Sequence, residues 1–186
     1  MKRLFTFFAL SAAALTLTSC ADDGMAKMVP SSGATAERGA YLVAIGGCND
    51  CHTPLKMGPK GPEPDMSRML SGHPQELVMP EPPASKGPWV WAGAGSNTAF
   101  AGPWGVSYAR NLTPDPVSGL GIWDEAMFVK TMRTGRHMGV SRPILPPMPW
   151  QNLNAMKDED LKSVFAYLRS IKPIRNEVPD AVIKTN

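Results

Sequence analysis

Three stretches of the chain repeat their apolar positions with a helical period. Between Ala34 and Gly46 there is no proline, and Ala36, Ala40, Val43 and Ala44 recur near that spacing, with Thr35 placed to cap the helix. From Asp124 to Thr134, Phe128, Val129 and Met132 form a stripe; Asp124 suits the cap, Glu125 the positive end of the dipole, and Gly135 the stop. From about Asp158 to Ile171, Leu161, Val164, Phe165, Leu168 and Ile171 share a face, three acidic residues fill the first turn, and Pro173 ends the run. The pattern between the first two helices is of another kind. Seventeen glycines and 19 prolines are spread over 186 residues, concentrated between Pro54 and Pro103, where neither a helical nor an alternating period is strong. Loops longer than about 12 to 15 residues within a compact domain are usually functional or disordered; Trp89, Trp91 and Trp104 favour ordered packing here. The expected fold is mostly α, a few short helices joined by long Gly/Pro-rich loops, over residues 34–175, with 176–186 as a C-terminal tail.

Chemistry enters where the first helix ends. Cys48-Asn49-Asp50-Cys51-His52 is a C-x-x-C-H sequence, the spacing of covalent c-type haem attachment: two thiols for two thioethers, and a histidine held beneath the iron. A structural zinc site would want four ligands from cysteine and histidine. Cys20 is the only other cysteine, and His73 and His137 are scattered without paired spacing. A redox dithiol would need a βαβ context, which the pattern lacks.

The chain begins like an exported protein. Lys2 and Arg3 precede an apolar run from Leu4 to Leu17, too short for a comfortable membrane span, and Leu17-Thr18-Ser19-Cys20 resembles a bacterial lipobox. Residues 1–19 are therefore expected to be a removed leader, Cys20 a lipid-bearing N-terminus, and residues 20–33 a tether; ordinary cleavage leaving Cys20 as a free thiol is the alternative. Lipid on Cys20 and haem on Cys48 and Cys51 would account for all three cysteines. Lys2 and Arg3 are the only charges before Cys20, so removing the leader takes the formal net charge from +3 to +1. No concentrated basic surface points to nucleic acid.

The pattern Gly39-Ala40-Tyr41-Leu42-x-x-x-Gly46-Gly47-Cys48, the haem motif and the Tyr167-Leu168 stretch of the last helix together resemble class I cytochromes c, over roughly residues 34 to 172. The stretch from Ser107 to Asp115, followed by Gly119 to Trp123, is similar to one in exported mono- and dihaem cytochromes c that serve periplasmic or membrane-bound dehydrogenases. The resemblance implies a cytochrome c fold, one covalent haem c, and a close crossing of the first and last helices at Gly39, with Tyr167 as the aromatic. It implies completion of haem attachment outside the cytoplasmic membrane, hence a place on the periplasmic side. It also implies a proline carbonyl that takes the Nδ1 proton of the proximal histidine; Gly58-Pro59 and Gly61-Pro62 are both candidates.

Two further groups bear on the haem. Arg110, Asn111 and Thr113 form a donor cluster suited to a buried propionate, Arg110 capping a surface turn being the plainer reading. The sixth ligand implied by the resemblance is a methionine on a stiff loop. Met148, in Ile144-Leu145-Pro146-Pro147-Met148-Pro149-Trp150, matches that setting, with Met138, His137 and His73 as competitors among 12 methionines and three histidines. Arg133 and Arg136 read as solvated charges. The expected function is a lipid-anchored monohaem electron carrier between a dehydrogenase or respiratory complex and a cytochrome or oxidase, not an enzyme. A haem sensor or catalytic haem with an open distal site, or a haem subunit fixed in a dehydrogenase complex, are the alternatives.

Overall fold

The computed structural model describes residues 33–84 and 87–184. The expected leader, Cys20 and nearly all of the expected tether lie outside these residues.

The three periodic stretches are helices within a residue or two of their expected ends. Helix α1 spans Ala36–Ile45, and the Thr35 side chain accepts from the Arg38 amide. The short α2, Cys48–His52, follows directly, because Gly47 adopts φ 65° and turns the chain between the two. Helix α3 spans Glu125–Thr134, capped by Asp124, with Gly135 at φ 63° as its stop. A short α4, Trp150–Asn154, leaves no periodic signal, being little more than one turn; α5 spans Asp158–Ser170.

The apolar faces of α1, α3 and α5 meet in one core of Leu42, Val43, Phe128, Met132, Leu161, Val164, Phe165 and Leu168, joined by Leu70 and Leu120 from the loops. Phe128 and Phe165 place their ring centroids 5.3 Å apart. The α1/α5 crossing depends on Gly39, where a Cβ would stand 1.9 Å from the Ser163 carbonyl oxygen and 2.7 Å from the Tyr167 Cβ. Only glycine permits that approach, and Tyr167 lies at the crossing as expected. Arg133 departs from its expected role: its guanidinium reaches the Asn154 and Met156 carbonyls and Asp158, tying α3 to the start of α5.

The largest correction concerns the glycine- and proline-rich middle. It contains an antiparallel hairpin, β1 Leu55–Gly58 with β2 Gly61–Pro64, and two strands of a four-stranded antiparallel sheet whose order is β3 Ala92–Gly93, β4 Ala99–Gly102, β5 Gly105–Tyr108 and β6 Val182–Ile183. These strands hold two to four residues each, too few to show alternation.

The expected tail is corrected with them. Val182 pairs with Val106 and Ile183 with Gly105, while Val178 and Asn176 are buried. Residues 172–184 are a strap across the domain, held by hydrogen bonds that a sparse apolar pattern does not reveal.

Candidate haem-attachment site

Helix α2 carries Cys48, Cys51 and His52 on little more than one turn, so two thiols and an imidazole share a small region by local geometry alone. Cys48 packs against the core and both cysteines are free thiols, half-buried. Burial chiefly, with the Asp50 carboxylate adding to it, pushes the Cys48 thiol up to about 11; the same two causes raise Cys51. Both sulfurs are thus held as neutral thiols at pH 7.

The His52 side chain is buried, and its Nδ1 donates to the backbone carbonyl of Arg110 at 2.7 Å. This corrects the proline-carbonyl expectation: Pro59 lies in the turn and Pro62 in the second strand of the exposed β1/β2 hairpin, whereas Arg110 lies directly after the buried Ala109. Donation to a carbonyl fixes the tautomer with the proton on Nδ1 and the lone pair on Nε2. Nε2 has no hydrogen-bond partner among the described residues, and burial lowers the ring's pKa, so the neutral, ligating form is favoured. Two free thiols and an oriented imidazole with its second nitrogen open are the groups that a covalent haem would use.

Residues 70–73 buttress His52 from behind. The Gly72 amide donates to the His52 carbonyl at 2.8 Å, the His73 amide to Ala109 at 2.9 Å, and the Leu112 amide to the Leu70 carbonyl at 2.9 Å. Gly72, at φ 80°, leaves no room for a Cβ, which would stand 2.4 Å from the Ala109 carbonyl. Thr53, wholly buried, supports the same strip by accepting from the Leu70 amide. None of these contacts has a sequence signal beyond the glycine itself.

Asn111 and Thr113 are fully engaged within the protein. Asn111 donates to Ser118 Oγ and the Ile174 carbonyl and accepts from the Thr113 amide and hydroxyl. That leaves Asn111 no side-chain N–H for a propionate, and the expected role of its side chain is corrected to bracing the strap. Arg110 is half-buried; one Nη donates to the Val178 and Pro179 carbonyls, with Asp180 at 3.7 Å. Its Nε and second Nη make no hydrogen bond among the described residues. Burial, then the Arg142 charge, lower the Arg110 pKa against the pull of Asp180.

Met148 sits half-buried on a loop anchored on both sides. Upstream, the Ser107 hydroxyl donates to the Pro146 carbonyl at 2.6 Å and the Ile144 amide to Gly135 at 2.8 Å. Downstream, the Trp150 ring packs over Gly135, where a Cβ would stand 2.5 Å from it. The loop from Ile144 to Gln151 lines a shallow open pocket of its own, which includes Met148 but no residue of α2. Among its competitors, His73 is wholly buried with both ring nitrogens bonded, to Thr98 Oγ1 and the Leu77 carbonyl, and its ring lies against Tyr108. His137 packs edge-on against Trp123, and Met138 holds φ 53° in the adjoining turn.

No family model matches the chain. It is similar to a nicotinate dehydrogenase component of Pseudomonas putida, 31% identical over 148 residues, covering 80% of this chain and 10% of that protein. It is also similar to the cytochrome c subunit of the quinone alcohol dehydrogenase of Komagataeibacter europaeus, 28% identical over 165 residues, covering 88% of this chain and 27% of that one. The gluconate 2-dehydrogenase cytochrome c subunit of Pantoea cypripedii is 26% identical over 179 residues, covering 96% and 31%. The chain thus spans between a tenth and a third of the length of these relatives. Two of these three relatives are cytochrome c subunits of dehydrogenases by name.

Proposed function

We propose that this chain carries one covalent haem c and transfers electrons from a dehydrogenase to an acceptor. The observation that carries the reading is His52: buried, held through Nδ1 by a backbone carbonyl, its Nε2 unbonded among the described residues, one position after Cys51 on the same short helix. Cys48 and Cys51 would hold the porphyrin by thioethers, and His52 Nε2 and Met148 would ligate the iron. The haem would supply a one-electron couple, and Met/His ligation sets it toward higher potential.

The chain's own residues do the rest. The Arg110 carbonyl orients the imidazole; Pro146, Pro147 and Pro149 restrict the Met148 loop, which lowers the entropy lost when a thioether is fixed. The open nitrogens of Arg110 are available to a propionate. Trp89, Val90 and Trp91, all exposed, offer an apolar contact surface of the kind transient redox partners use. The names of the relatives favour a dehydrogenase as donor and a place as a subunit beside it. Lipid attachment at Cys20 would then hold the domain at the periplasmic side of a bacterial membrane.

The test is optical. Reduced wild-type protein should be indifferent to carbon monoxide, and Met148→Ala should bind it. Ready binding by the wild type would mean an open iron and would move the function to ligand sensing or catalysis.

A further inference from the structure

The strap after α5 converges on the two bonds that hold His52. Asn176 is 1% exposed and uses its whole hydrogen-bonding capacity. Its amide donates to the Ser71 carbonyl at 2.7 Å and the His73 carbonyl at 2.8 Å, and its oxygen accepts from the Gln75 amide at 2.9 Å and from Arg68 at 3.3 Å. Ser71 and His73 flank Gly72, whose amide holds the His52 carbonyl. Two residues further along the strap, the Val178 and Pro179 carbonyls take the Arg110 guanidinium, and the Arg110 carbonyl takes the imidazole proton. One arm therefore reaches the main chain of His52 and the other its ring. The strap is fixed independently by β6 and by Ile174, which bonds to Asn111 and Thr113.

We propose that the strap, through Asn176 and the carbonyls of Val178 and Pro179, is a positioning device that sets the strength of the His52 Nδ1–H···O=C bond. It thereby sets the basicity of the proximal ligand and the potential of the iron. This rests on the haem reading given above. Neither Asn176 nor the strap touches the ligating atoms; both act through Gly72 and Arg110. A strong bond from Nδ1 makes the imidazole a better donor and favours ferric iron, so loosening it raises the potential.

The experiment compares wild type with Asn176→Ala and Asn176→Asp. Each is measured for covalent haem content, midpoint potential and the hyperfine-shifted proton resonances of His52. Asn176→Asp keeps the size and both acceptor contacts while losing the two donor contacts, so the test survives if the alanine variant does not fold. Haem content should stay at one per chain. The His52 resonances should move and the potential should rise, by about tenfold in the reduced-to-oxidised ratio, the low end of what altering an outer partner costs, or about 59 mV for one electron. Potentials and His52 resonances matching wild type in haem-loaded variants would overturn the proposal and leave the haem reading standing. A wild type without covalent haem would overturn the haem reading first.

Discussion

The two sides of the proposed haem site are built differently. On the His52 side the chain is buried, and each bond is itself braced: the imidazole by Arg110, Arg110 by the strap, the strap by Asn176. On the Met148 side a half-exposed, proline-stiffened loop is held upstream by the Ser107 hydroxyl and the Ile144 amide and downstream by Trp150 over Gly135. Three donor atoms on one short helix need a fixed frame because their spacing is covalent. A single thioether needs only to be brought near, and local stiffness is enough for that. The contrast predicts that damage to the frame costs stability, whereas damage to the loop changes ligand access.

The largest effect is expected at the frame. Gly39→Val would drive side-chain atoms into the Ser163 backbone and separate α1 from α5. Overpacking against rigid backbone costs about 3 kcal/mol or more, and a thermal melt should fall by roughly 6–12 °C. A melt equal to wild type would show that the helices need not cross so closely.

A smaller stability effect with a sharper functional one is expected at Ser107→Ala. Losing the hydroxyl donor to Pro146 should cost about 1 kcal/mol. The reduced protein should then bind carbon monoxide detectably where wild type does not. Unchanged indifference to carbon monoxide would mean that the loop holds its place without the Ser107 bond.

The smallest effect tests the strip behind His52 through pH. Burial lowers the pKa of His73 below its ordinary value of about 6.5. The unfolded chain takes up a proton below that value while the folded chain resists it, so stability should fall as pH drops through about 6.5 toward the depressed folded value, and this group contributes no slope above that window. Urea midpoints at pH 8, 6 and 5 should decline in wild type and decline less in His73→Gln. Equal slopes would place the acid sensitivity elsewhere.

How much of this was legible in the sequence follows the same division. Periodicity and caps placed α1, α3 and α5, and Gly39 with Tyr167 marked their crossing, because those signals are local and the helices are at least ten residues long. The haem motif was legible because its five positions are adjacent. The strands were not, having two to four residues each, and neither was the strap, whose hold depends on Asn176 meeting carbonyls about a hundred residues away. Asn111 misled for a related reason: a donor in a polar loop reads as available, but only the fold shows that Ser118 and Ile174 already take both its N–H groups. The partner of His52 is not a proline nearby in sequence: the bond runs to Arg110, and any backbone carbonyl can accept it.

The most direct test of the central claim is mass spectrometry of the protein isolated from cells that mature c-type cytochromes. The account predicts that the peptide containing Cys48, Cys51 and His52 carries one haem that survives denaturation and acid-acetone extraction. Recovery of that peptide at its unmodified mass, with two thiols free to alkylate, would contradict it.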